Sequence, residues 1–217
     1  VPTLLHIDSS ARSTESRSRR ISAAFAAAWT AAGPDHVIVR RDLHAQPVPH
    51  LADADLHWPD RLRSEGSAPP PEAEALQQEL LAELIAADVL LLGAPMYNYN
   101  VPSTVKAWID HIHVPGVTAP FDVASQPLAG RPAVIATSRG GSYAPGSPTE
   151  GDDHGTAALR LVLGDALGMD VHVISTDLTL ADSVALLAEH RQDADDQLAA
   201  ALTAAGDLAR TLTTARA

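Results

Sequence analysis

Ala87-Asp88-Val89-Leu90-Leu91-Leu92-Gly93-Ala94-Pro95-Met96-Tyr97-Asn98-Tyr99-Asn100-Val101-Pro102 decides the fold of this chain. Four large aliphatic residues in a row, closed by glycine, read as a strand covered on both faces of a sheet. A rigid, proline-bracketed turn follows, holding two tyrosines, two asparagines and a methionine. Pro102 then opens a helix, and Val105, Trp108, Ile109 and Ile112 share one of its faces. Strand, loop and helix in this order form the repeating unit of a parallel α/β sheet.

Working outward, the same unit recurs. Thr3–Ile7, His36–Arg40 and Ala133–Thr137 read as further buried strands, and Val171–Ser175 as a fifth that alternates at His172. An alanine-rich helix is expected from Ser16 to Ala32, ending at Gly33-Pro34. Another spans Glu72 to Ala87, with Leu76, Leu80, Leu84 and Ala87 on one face. Gly155 to Leu167 carries Leu159, Leu163 and Leu167 at four-residue spacing. A final helix runs from about Ser183 to Thr214 with an interruption. Five alternations predict a doubly wound, five-stranded parallel sheet of order 2-1-3-4-5, with helices on both faces. The whole of 1–217 is expected to be one domain. Asp42 to Pro71 fits no element and reads as a long connection, near the site or on a partner surface.

Composition narrows the function. The formal net charge is −12. So acidic a surface repels nucleic acid and anionic lipid, so neither is an expected partner. The absence of cysteine removes disulfides, thiolate catalysis and thiolate metal sites. No apolar run approaches the length of a membrane span, and Val1–Ile7 is too short for a signal peptide. A cytoplasmic protein is expected.

Three loops follow strands at what would be one edge of the sheet. The first runs from Asp8 through Ser9-Ser10-Ala11-Arg12 to Ser16-Arg17-Ser18-Arg19. Phosphate favours such a place, because the first N–H groups of a helix are unpaired and its dipole end is positive. There is no GxGxxG and no Walker lysine, which disfavours a Rossmann dinucleotide site and nucleotide hydrolysis. The plain alternative is that Ser16 only caps the helix and the arginines are solvated. The second loop is the turn Pro95 to Asn100. It offers flat apolar surface with backbone donors and acceptors, as an isoalloxazine ring requires. The plain alternative is a structural turn with surface tyrosines. The third loop, Ser138-Arg139-Gly140-Gly141-Ser142-Tyr143, has paired glycines that permit positive φ and close backbone approach. An ordinary glycine turn is its alternative. The convergence of all three favours a ligand.

Other constellations carry less. His111 and His113 are two residues apart and lie on different helix faces. His6 and His172 fall in strands. No HExxH is present, and no metal is expected. Asp152-Asp153-His154 reads first as an acidic helix start, although His154 is a conceivable proton donor. No GxSxG elbow supports a hydrolase.

Taken together, Ser9-Ser10 with Ser16-Arg17-Ser18, Ala94 to Tyr99 with Pro102 and Lys106-Ala107-Trp108-Ile109-Asp110, and Ser138 to Gly141 resemble the FMN-dependent NAD(P)H azoreductases among the flavodoxin-like quinone reductases. The resemblance spans essentially the whole chain. It implies that Ser10, Ser16, Arg17 and Ser18 hold the FMN phosphate. It implies that Pro95, Met96, Tyr97, Asn98 and Tyr99 lie along the isoalloxazine, and that Ser138, Arg139, Gly140 and Gly141 border its pyrimidine edge. Asn98, Tyr99 and Tyr143 are the expected contacts of the substrate. The family often has Gln at Arg17 and Phe at Tyr99. Arg17 is therefore expected to strengthen phosphate pairing, and Tyr99 to shift acceptor preference. The implied reaction is ping-pong hydride transfer from NADH or NADPH to a quinone, azo or nitro aromatic acceptor, with no indispensable acid–base residue. The implied assembly is a homodimer sharing its sites, with aromatics such as Trp58 or Phe121 supplied by the partner. Two other readings keep the fold and FMN: a flavodoxin-type single-electron carrier, and a biosynthetic reductase acting on one specific N–N, N–O or quinone bond.

Overall fold

A computed structural model describes residues 1–124 and 126–214. Ser125 and residues 215–217, the last of the expected 1–217 domain, lie outside the described residues. Five parallel strands form one sheet: β1 (Thr3–Asp8), β2 (Val37–Asp42), β3 (Val89–Gly93), β4 (Pro132–Ser138) and β5 (Asp170–Thr176). Their order is β2-β1-β3-β4-β5, as the strand–helix alternation requires. Leu5 pairs with Leu90, Leu91 with Val134 and Ile135 with Val173.

The pleat sends alternate side chains to two cores. Leu5, Ile7, Leu90, Leu92 and Ile135 face α2 (Pro71–Ala86), α3 (Ser103–Ile112) and α4 (His154–Leu159). Leu4, Val89, Leu91, Val134 and Ala136 face α1 (Arg17–Ala31) and α5 (Arg191–Thr214). Each fully buried aliphatic side chain contributes about 2 kcal/mol to folding. Alanine has a packing role here. Ala194, Ala201, Ala205 and Ala209 are buried along α5 with Leu198, and this narrow stripe lets α5 lie close against α1. Phe25 and Trp29 of α1 supply the bulk, and the Trp29 indole N–H donates to Val37 O at 3.3 Å.

Three expectations change. The second strand is not buried: Val37 and Val39 remain exposed, at 42% and 39%, because the strand order puts β2 on an edge where only one neighbour covers it. The helix expected over Gly155–Leu167 is α-helical only to Leu159 and continues with wider π-type turns over Arg160–Ala166. Its four-residue leucine spacing still buries Leu159, Leu163 and Leu167. The 42–71 connection is ordered, with short helical turns at Ala54–His57 and Asp60–Leu62. Buried Leu43, Val48 and Leu56 anchor it. The Gln77 amide donates to Leu56 O and His111 O, and His111 Nε2 lies 3.0 Å from Pro49 O. No helix among the described residues is long and apolar enough to cross a membrane.

Candidate active site

The carboxyl ends of the strands meet at one cleft of about 560 Å³, within the range of small-molecule sites. The first loop leaves β1 held to β3 by Ser9, whose N–H and hydroxyl both donate to Gly93 O. Ser10, Arg12, Glu15, Ser16 and Arg17 line this end. Ser16 caps α1 by accepting from the Arg19 N–H. The Arg17 N–H, in the helix's first turn at the cleft lining, has no intrahelical acceptor, the usual setting for an anion.

The arginines of this loop are structural for the most part. The buried Arg17 guanidinium makes a two-pronged pair with Asp182, through Nε at 3.0 Å and Nη2 at 2.7 Å, and also bonds Asp195 and Ala194 O. It does not offer the phosphate pairing expected of it, because two carboxylates already neutralise it. Arg19 makes a similar pair with Asp42 and donates to Ser10 O at 2.8 Å. That partnership holds the Asp42 carboxyl down to about 2. Arg12 is the arginine of the loop without a carboxylate partner among the described residues. Ser18 lies behind the lining, fully buried and 3.0 Å from Ser16 Oγ.

The second loop is a tight turn closed by Tyr97 N–H to Asn100 O and Asn100 N–H to Tyr97 O. Its central residues, Asn98 and Tyr99, have φ of +50° and +68°. Left-handed backbone is costly for a bulky residue such as tyrosine, and such strain is maintained only where the surroundings over-determine it. Here His154 N–H bonds Tyr99 O, and Met96 N–H bonds Ser138 O. Tyr97 Oη accepts from Ala11 N–H at 3.0 Å and lies 3.3 Å from Ser10 Oγ, joining the first loop to the second. Pro95, Met96, Tyr97, Asn98 and Tyr99 all line the cleft.

From the third loop Ser138, Gly140, Gly141 and Tyr143 line it. Arg139 turns away to Asp177 at 2.6 Å and Asp153 at 2.9 Å. It braces the loop against the segment after β5 and the start of α4. Gly140 and Gly141 do not use positive φ. A Cβ at Gly140 would lie 3.0 Å from Leu180 Cδ1, so the Leu180 side chain would have to shift to admit it. Burial first, and then neighbouring negative groups, push the Tyr143 phenol up. Asp153 caps α4 through Thr156, as the acidic helix start suggested, and His154 is absent from the lining.

Residues 2–205 match the model of a family described as having a flavodoxin-like fold. The chain is 55% identical to a Kineococcus radiotolerans protein named FMN-dependent NADH:quinone oxidoreductase, over 98% of this chain and 100% of that one. The chain belongs to the flavodoxin-like quinone reductase family.

A second member, from Streptomyces coelicolor and of the same name, is 46% identical over 82% of this chain and 80% of its own. Among solved structures, an azoreductase from Bacillus anthracis superposes with a TM-score of 0.81 at 17% identity, covering 97% of this chain and 100% of that one. An FMN-dependent NADH-azoreductase of Bacillus anthracis, solved in complex with FMN, gives 0.78 at 18% identity over 98% and 100%. At such identities the likeness concerns the fold.

In this quinone reductase family member Arg12 and Glu15 join the expected residues of the first loop, and four further cleft residues lie outside all three loops: Thr179, Leu180, Asp182 and Ser183, in and after the short helical turn Thr179–Asp182. The available signal was positional, since they follow β5 at the same edge as the other loops. No residue of the 42–71 connection lines the cleft. Among the described residues no cluster of His, Asp and Glu could hold a metal.

Proposed function

We propose that this protein is an FMN-dependent oxidoreductase that passes a hydride equivalent from NADH to a quinone or related planar aromatic acceptor. One observation carries the reading: a single cleft has unpaired helix N–H groups and serine hydroxyls at one end and a rigid aromatic turn at the other. That polarity fits a ligand with an anionic tail and a flat head. The residues present therefore suit FMN, and the names of the family's members support the same cofactor and donor.

When bound, FMN supplies the two-electron chemistry. The chain's residues hold and orient it. Ser10, Ser16 and the first N–H groups of α1 take the phosphate end. Met96 to Tyr99 take the ring, with Tyr97 fixing the distance between the two ends. Ser138, Gly140 and Gly141 close the polar edge of the ring with backbone groups. Tyr99 and Tyr143, with Asn98, flank the place left for substrate, and Tyr143 remains a neutral phenol near pH 7.

Donor and acceptor would use one slot in turn, a ping-pong order. NADPH as an alternative donor, and azo or nitro compounds as acceptors, belong to the same proposal. So do a cytoplasmic, single-domain protein and a homodimer with shared sites. The Trp58–Phe121 ring pair, 5.2 Å apart with Phe121 largely exposed, supports the last point, which light scattering would test. The decisive experiment is NADH oxidation by FMN-loaded protein with menadione or methyl red. Parallel initial-rate lines are expected when both substrates are varied, and absence of turnover with every such acceptor would remove the reading.

A further inference from the structure

The buried Arg17 is out of place as a phosphate ligand, yet it is among the most constrained charges near the cleft. Its guanidinium is almost wholly withdrawn from water. A charge so placed is tolerated only when its hydrogen bonds are satisfied. Three of its nitrogens are engaged, and every partner lies in the last fifth of the sequence: Asp182, Asp195 and Ala194 O. Arg17 therefore ties the first turn of α1 to the segment after β5.

That segment is held from its other sides as well. Leu178, Thr179 and Leu180 donate their N–H groups to Gly141, Arg139 and Gly140 carbonyls, at 3.1, 3.1 and 3.3 Å. Arg191 Nε donates to Ala181 O at 3.0 Å. The turn starts from Leu178 in left-handed backbone, with φ +62°. The product of these restraints is the position of Leu180. Its side chain lines the cleft, rests against Gly140 where a Cβ would crowd it, and remains 45% exposed. A leucine so presented and so firmly held is a ready contact for a flat apolar ligand.

We infer that Leu180 is an apolar wall of the acceptor slot and that Arg17 is the positioning residue that sets this wall, through Asp182. The inference rests on the proposed function and adds to it a residue pair that selects the acceptor. Planar, uncharged quinones with a hydrophobic edge are the class such a wall favours. Bulky acceptors are disfavoured, because the leucine narrows the cleft beside Gly140.

The test compares the FMN-loaded wild type with Leu180→Ser and Arg17→Gln. Leu180 is exposed enough for its substitution to leave folding intact. At saturating FMN, Leu180→Ser should raise KM for menadione about tenfold, the scale of a lost apolar contact, with kcat within about twofold of wild type. Arg17→Gln should raise the same KM, and it alone should speed amide hydrogen exchange across 178–190. An unchanged KM in Leu180→Ser overturns the wall. Unchanged exchange in Arg17→Gln overturns the positioning role, and if that variant fails to fold, Asp182→Asn gives the same exchange reading. A wild type without turnover removes the parent reading instead, and the exchange experiment would still decide whether Arg17 sets the segment.

Discussion

Asp42 and Arg19 meet beneath the first loop as a two-pronged pair, and Arg19 also grips Ser10 O. The side-chain bond from Arg19 takes the Asp42 carboxyl from 3.8 to about 2. A carboxyl depressed by folding stabilises the native state above its unfolded pKa and loses that stabilisation as pH falls through the folded value. The contribution is thus complete at pH 7 and fades between about pH 4 and 2. Asp42 is 38% exposed, so solvent screening leaves roughly 1 kcal/mol of it. Urea unfolding of Asp42→Asn should show that loss at pH 7, and the gap to wild type should close toward pH 2. Tyr97 is the other informative residue. Its hydroxyl accepts from Ala11 N–H at 3.0 Å. Tyr97→Phe should weaken FMN binding about fivefold, the equivalent of one ordinary hydrogen bond. Riboflavin, which lacks the phosphate, should bind nearly unchanged, as fluorescence titration of both flavins would show.

At the scale of elements, the ring turn depends on the helix behind it. Gly155, in the first turn of α4, sits so close to Asn100 that an added Cβ would lie 2.9 Å from its carbonyl carbon and 3.1 Å from Val101 N. Both neighbours are backbone, so neither can swing aside. Gly155→Ala should cost about 1–3 kcal/mol of stability, as overpacking does. It should also weaken FMN binding by displacing the turn that holds Asn98 and Tyr99 in left-handed backbone. Denaturant unfolding and flavin titration measure the two effects separately. The glycine's importance was not visible in sequence, where it reads as an ordinary helix start. By contrast β3, the helix face of Val105, Trp108, Ile109 and Ile112, and the capping by Ser16 were all legible, because each depends on local spacing alone.

For the molecule as a whole, the charge of −12 acts at long range. An acidic surface repels an anionic dinucleotide on its approach, and salt screens that repulsion. Raising ionic strength from about 10 to 150 mM should lower KM for NADH by about two- to threefold, with kcat steady. A rise in KM would show that a local cationic patch outweighs the global charge. The amino-acid sequence by itself determined the strand–helix alternation, and with it the strand order and the edge where the loops converge, since apolar periodicity and crossover handedness leave few alternatives. It also marked the loops after β1, β3 and β4 through their serines, tyrosines and glycines. Only the tertiary structure decided where the arginines point. Arg17, Arg19 and Arg139 look alike in sequence, as free cations beside a site, yet each is taken by at least one carboxylate between 23 and 178 residues away. A long cationic side chain goes where its desolvation is best compensated, and that depends on which distant acids the fold brings within reach. The fourth wall of the cleft was hidden for the same reason: Leu180 belongs to it because β5 ends beside β4.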